Sequence, residues 1–140
     1  MIESAGEAPQ RAPDGSFPLR THLGMDVATD DTGGGIADLV VDERHLNPNG
    51  VVHGAVLFAM VDTAMGAAAM GVVPEGHLCA SVEVHLRFLR PVTSGSLHAD
   101  IAVERAGRRI IHLTGRVVDD GGSTVATATG TFAVLPPPGG

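Results

Sequence analysis

The chain has 140 residues, 44% of them hydrophobic, with 19 glycines and neither Trp nor Tyr. That is one domain, able to bury about two thirds of its unfolded surface around Val, Ala, Leu, Met and Ile. Nine basic residues against sixteen acidic give a formal charge of −7 with no basic stripe, which excludes nucleic acid as a partner and disfavours a membrane surface. Cys79 is the only cysteine, in an apolar Leu-Cys-Ala context that reads as packing. No intrachain disulfide is possible, and together with the lack of a secretory signal this points to the cytoplasm.

Residues 1–16 (MIESAGEAPQRAPDGS) are polar and punctuated by Pro and Gly, the composition of a disordered segment preceding one domain over 17–135. Phe17-Pro18-Leu19 forms a short lead-in. His22 to Asp30 and Gly35 to Glu43 read as two strands joined through Asp31-Thr32-Gly33-Gly34, a hairpin connection. Four more strands lie downstream. His77 to Arg90 places Ala80, Val82, Val84, Leu86 and Phe88 on one face and Ser81, Glu83, His85 and Arg87 on the other. Ser96 to Arg105 alternates in the same way. Arg109 to Val118 is joined by Asp119-Asp120-Gly121-Gly122 to Thr124–Val134, with Ala126, Ala128, Gly130, Phe132 and Val134 inward and a row of Thr outward. Residues 136–140 (PPPGG) are a tail.

Between the two groups of strands runs NPNGVVHGAVLFAMVDTAMGAAAM, residues 47–70. Leu57, Met60, Val61, Ala64 and Ala68 recur at helical spacing, and the remaining positions are almost all small or apolar. A helix apolar all round is a buried one. Residues 54–73 are long enough to raise a transmembrane span, but the central Asp62, the Ala/Gly content and the following strands favour burial, with Pro74 and Gly76 ending the helix. Antiparallel strands with one apolar face need a cover. A sheet of about six strands curled around one long central helix satisfies both needs, an α+β arrangement. Asp62 alone does not fit this environment. It either bonds something structural or is a base whose burial raises its pKa. Gly54, at the helix start after a turn and His53, offers backbone N–H groups and the positive dipole end, which can hold a polarised carbonyl or oxyanion.

Asn47…His53-Gly54…Asp62 resembles the motif of the hotdog-fold acyl-CoA thioesterases, in particular the PaaI-like branch: Asn, His-Gly-Gly six positions on, and Asp nine positions after the His. Asp62-Thr63-Ala64 matches as well, and Ala55 replaces the second Gly. Ala80-Ser81-Val82-Glu83 and Phe88-Leu89-Arg90-Pro91 are similar to the family's third strand and its exit, so the resemblance covers roughly residues 20–135. It implies a hotdog fold and hydrolysis of an acyl-CoA to free acid and CoA. No metal or redox cofactor is implied, since coenzyme A belongs to the substrate. Asp62 would activate water or attack directly, the Gly54 N–H would hold the thioester oxygen, His53 would fix the turn, and Asn47 would position the water or the acyl carbonyl. Ser81 matches a position that assists the Asp, although strict alternation turns it away from the helix.

Helix geometry adds a constraint. At 1.5 Å per residue Asp62 lies roughly 12 Å along the axis from Gly54, too far for both to act on one carbonyl. Two helices paired antiparallel about a two-fold axis would bring Asp62 of one chain opposite Gly54 of the other and create two shared sites. The resemblance implies the same homodimer, often with two dimers joined. Arg87, Arg90, Arg108 and Arg109 are candidates to gather the phosphates of coenzyme A. Met60, Met65, Val56 and Phe58 are candidates to line the acyl pocket. His85, His98 and His112 fall on outward strand faces without metal-site spacing. Two other readings remain: a hydratase or dehydratase on acyl thioesters, which the His-Gly…Asp spacing disfavours, and a non-catalytic acyl-CoA-binding or sensing protein, for which no DNA-binding segment has room.

Overall fold

The computed structural model describes residues 15–139; residues 1–14 of the segment expected to be disordered, and Gly140 of the tail, lie outside them. The first element among the described residues is helix α1 (Pro18–Leu23), where the alternation predicts a strand already at His22. Pro18 sits in the first turn, where its missing N–H costs nothing, and Gly24 closes the helix in the left-handed conformation, φ 68°. Strands β1 (Met25–Thr29) and β2 (Gly35–Val40) follow, then a single 3-10 turn (Glu43–His45) and the long helix α2 (Gly54–Met70). The last four strands are β3 (Leu78–Phe88), β4 (Ser96–Ala106), β5 (Ile110–Asp119) and β6 (Thr124–Leu135).

All six strands join one antiparallel sheet in the order β1-β2-β4-β5-β6-β3. The connection through α2 carries the chain across the sheet, so β3 pairs only with β6 and forms an edge. α2 packs against every strand, which requires the sheet to curl around it. This is the hotdog arrangement that the sequence motif implies.

The core is the seam between helix and sheet. Met60, Val61, Ala64, Met65, Ala68 and Ala69 of α2 are wholly buried, against Ala37, Ala99, Ile111, Val117 and Ala126 of the strands. Burying each of the larger side chains contributes roughly 1.5–3 kcal/mol. Close approach depends on missing side chains. A Cβ on Gly35 would overlap the Ala64 carbonyl, and one on Gly130 would overlap the Met65 sulfur. The inward row predicted for β6 is the observed one: Ala126, Ala128, Gly130 and Phe132 are buried.

The sheet covers only part of the helix. Ala55, Phe58 and Met70 are exposed, and Ala59, Asp62 and Gly66 are half-buried, together forming one stripe along α2. The helix that composition predicts to be buried on every side is therefore open on one side of this chain. Met60, Met65 and Val56 are committed to the core, which leaves Phe58 as the one suggested pocket residue on the open side. Among the described residues no helix is long and apolar enough to cross a membrane.

One prediction of side-chain direction fails, and the failure bears on the site. Strict alternation puts Ala80 and Val82 inward on β3 and Ser81 outward. The β3–β6 register shifts between Ser81 and Glu83, leaving Val82 as an extra residue. Cys79 packs against the core, Ala80 is exposed and Val82 is 62% exposed, whereas Val84 and Leu86 beyond the bulge point inward. Ser81 falls on the same side as Cys79, toward α2.

Candidate active site

The segment before α2 is held by local hydrogen bonds. Asp42 caps the 3-10 turn by accepting the Arg44 N–H, while its own N–H donates to Nδ1 of His45 at 2.9 Å. His45 is the only buried polar or charged side chain among the described residues, at 1% exposure. With Nδ1 accepting, Nε2 carries the proton and donates to the Leu23 carbonyl at 2.8 Å, tying this segment to α1. The Asn47 Oδ1 accepts from the Asn49 and Val51 N–H groups at 2.9 and 3.3 Å, in a turn that needs Gly50 at φ 77°. Asn47 therefore shapes the approach to the helix with its oxygen. Its Nδ2 has no partner among the described residues and keeps its donors.

His53 is the N-cap. Its N–H donates to the His45 carbonyl at 2.8 Å, its Nδ1 accepts the Ala55 N–H at 2.9 Å, and its carbonyl accepts the Val56 N–H. Ala55, the departure from the family pattern, thus has its N–H satisfied by the cap. The Gly54 N–H has no partner among the described residues and stands at the positive end of the helix dipole. It opens on a cleft of about 370 Å³ lined by Gly54, Leu57, Phe88 and Arg90, among others. The Phe88 ring lies against the glycine: a Cβ at Gly54 would be 3.0 Å from the ring tip. Residue 54 is small because Phe88 occupies that space.

Asp62 is two turns further along α2. Its Oδ1 is buried without a hydrogen-bond partner among the described residues. Burial pushes its pKa above the ordinary carboxylate value, and the Ser81 hydroxyl, brought round by the β3 bulge, partly opposes that by stabilising the charged form. Cys79, one inward position earlier on β3, faces Gly66 with its sulfur 3.9 Å from the carbonyl oxygen. Burial and the nearby Asp62 charge push its thiol pKa up. A thiol held neutral is a weak nucleophile, in keeping with a packing role.

The sequence candidates therefore fall into separate groups within one chain. Asn47, His53, Gly54 and Arg90 gather around the start of α2, and Asp62 and Ser81 meet roughly 12 Å along the same helix. Arg87 lies on the outer face of the sheet, away from α2. Arg108 and Arg109 lie in the β4–β5 turn, at the end of the sheet where Ile110 pairs with Ala133, whereas Phe88 pairs with Ala126 at the opposite end. His45 and Phe88 were not legible as contributors to the site. An Asp-x-x-His pair just before a turn is the one signal that could have suggested the His45 capping box. Among the described residues no group of three or more His, Cys, Asp or Glu is arranged to hold a metal ion. An unpaired N–H at a helix start and a desolvated carboxylate are the parts needed to polarise a carbonyl and to deliver water to it.

Residues 49–126 match the family model described as the thioesterase superfamily. Among solved structures the chain is similar to a thioesterase from Haemophilus influenzae, at 25% identity and a TM-score of 0.80, over 84% of this chain and 82% of that one. It is also similar to a phenylacetic acid degradation-related protein from Ralstonia eutropha JMP134, at 33% identity and a TM-score of 0.75, over 91% of this chain and 93% of that one. A curated Haemophilus influenzae protein is 31% identical over 90 residues, which are 64% of this chain and 65% of that protein, just under two thirds of its length.

Proposed function

Since the chain belongs to the thioesterase superfamily, and so to the thioester hydrolases, we propose that it hydrolyses an acyl-CoA to a free acid and coenzyme A at a site shared between two chains. The observation that carries this reading is the pair of unsatisfied groups on α2: the Gly54 N–H facing a cleft, and the buried Asp62 Oδ1, on a helix with one apolar side uncovered. A second copy packed antiparallel on that stripe sets its Asp62 opposite this chain's Gly54.

In that arrangement the thioester carbonyl accepts from the Gly54 N–H, which strengthens as negative charge grows on the oxygen. Asp62 of the other chain takes a proton from water as the water oxygen attacks the carbonyl carbon. The tetrahedral intermediate then collapses, the C–S bond breaks, and the CoA sulfur leaves as thiolate and takes up a proton. If Asp62 attacks the carbon directly, the acyl group passes through an anhydride that water opens. Label found in Asp62 after a single turnover in labelled water identifies the anhydride route, with water opening the anhydride at the Asp62 carboxyl carbon. Asn47 retains Nδ2 to orient water or the acyl carbonyl. Arg90 is within the cleft and suits a phosphate of the nucleotide. Arg108 and Arg109 reach the same cleft only from the antiparallel partner.

The test is a hydrolysis screen of the purified protein against aliphatic and aryl-acetyl CoA thioesters, reading free thiol. Turnover of at least one member that Asp62→Asn abolishes supports the proposal. Tight acyl-CoA binding without any thiol release would mean a binding protein instead.

A further inference from the structure

A cleft of about 480 Å³ lies on the outer face of the sheet, away from α2, and the reaction above makes no use of it. Strand register orders its lining into two rows across β3, β6 and β5. The first is Arg87, Thr127, Arg116 and the second is His85, Thr129, Thr114. Two arginines and a histidine occupy three of the four corners, and hydroxyls run down the middle. Arg87 and Arg116 lie two strand spacings apart, about 10 Å between Cα atoms, so both side chains can close over a group seated on Thr127.

Arg87 and Arg116 have no partner among the described residues. Neither takes part in any ion pair or hydrogen bond among the described residues. The Thr127 and Thr129 hydroxyls are likewise unengaged, while the Thr114 hydroxyl donates to the Ala128 carbonyl at 3.4 Å. No acidic residue among the described ones lines this cleft. The nearest carboxylates are at its margins: Asp100 is opposite Arg116 in register but outside ion-pair distance, and Glu83 approaches His85 at 3.9 Å. Two guanidiniums facing one another across a strand repel unless an anion lies between them.

We propose that this outer-face cleft binds a phosphoryl group, held by the Arg87 and Arg116 guanidiniums over the Thr127 and Thr129 hydroxyls. A carboxylate has two oxygens and satisfies one guanidinium fork. A phosphoryl group presents three, enough to meet both forks and a hydroxyl together. Its bearer is either the nucleotide end of coenzyme A reaching round the β3 edge or a separate phosphorylated small molecule.

Calorimetric titration of the full-length protein with inorganic phosphate and with adenosine 3′,5′-bisphosphate tests this, comparing wild type with the Arg87→Ala/Arg116→Ala double variant. Binding of at least one probe to the wild type, weakened tenfold or more in the variant, is expected. The isosteric Thr127→Val should weaken it severalfold and serves if the double variant folds poorly. A KM for acyl-CoA that rises in the variant while that for acyl-pantetheine does not identifies the bearer as the substrate's nucleotide. Lost probe binding with KM unchanged identifies a separate ligand. The proposal is overturned if neither probe binds the wild type at millimolar concentration, or if both proteins bind equally. It is equally overturned if the double substitution alters only the oligomer's mass, which would make the face a protein interface.

Discussion

At the scale of single residues, Asp62 decides the account. Its pKa is raised from an ordinary value of 3.8, chiefly by burial, so the folded state binds that proton more tightly than the unfolded chain. The stability tied to the group is intact below pH 3.8 and is lost as pH rises through the elevated pKa. Asp62→Asn carries no such loss. Its melting temperature should exceed that of the wild type at neutral pH, and the difference should vanish on acidification toward pH 3.8. The same substitution should lower kcat by about 100-fold or more with little change in substrate binding. Wild-type turnover in the variant would remove Asp62 from the chemistry. Ser81→Ala gives a finer test: without the hydroxyl that favours the carboxylate, the acid limb of the kcat profile should move to higher pH. An unmoved limb would leave Ser81 structural. Asp62 was legible in the sequence because it is one charge in an apolar helix. Ser81 was named only through the family resemblance; its direction was not legible, because it depends on a one-residue bulge set by pairing with β6, and alternation within β3 alone points it the wrong way.

At the scale of elements, α2 declares itself by spacing and the long strands by alternation, and their ends fall within a few residues of expectation. The short elements do not. α1 has six residues and the turn at Glu43–His45 three, too few for a period to emerge, so their marks are chemical: Pro18, Gly24 and the Asp42–His45 capping pair. The distances between elements are hidden from sequence as well. Gly35 reads only as the first residue of a strand, whereas the structure makes it the point where β2 touches the α2 backbone at Ala64. Gly35→Ala should therefore destabilise the fold by about 1–3 kcal/mol in chemical denaturation, by forcing strand and helix apart. Gly50→Ala is a useful comparison, since open space surrounds that residue and only its turn is strained. Equal stability of Gly35→Ala and wild type would mean the contact yields freely.

At the scale of the whole molecule, a single chain keeps the parts of the candidate site apart. An apolar stripe of α2 is uncovered, and the two groups that suit acyl transfer are too far apart on one helix to act together. Composition predicts a helix buried on all sides, and the second copy proposed above would supply the missing cover. The mixed dimer tests this most directly. Asp62→Asn and Gly54→Pro are each expected to be nearly inactive as homodimers, the second because proline has no N–H to donate. Gly54→Ala, which adds a Cβ against Phe88 but keeps the N–H, separates crowding from the lost donor. The two inactive proteins are denatured together, refolded and assayed for thiol release, with heterodimers verified by mass spectrometry. Random pairing makes about half of the dimers mixed, each with one intact and one doubly broken site, so roughly a quarter of wild-type activity should return. Heterodimers present without any recovered activity would contradict the shared site.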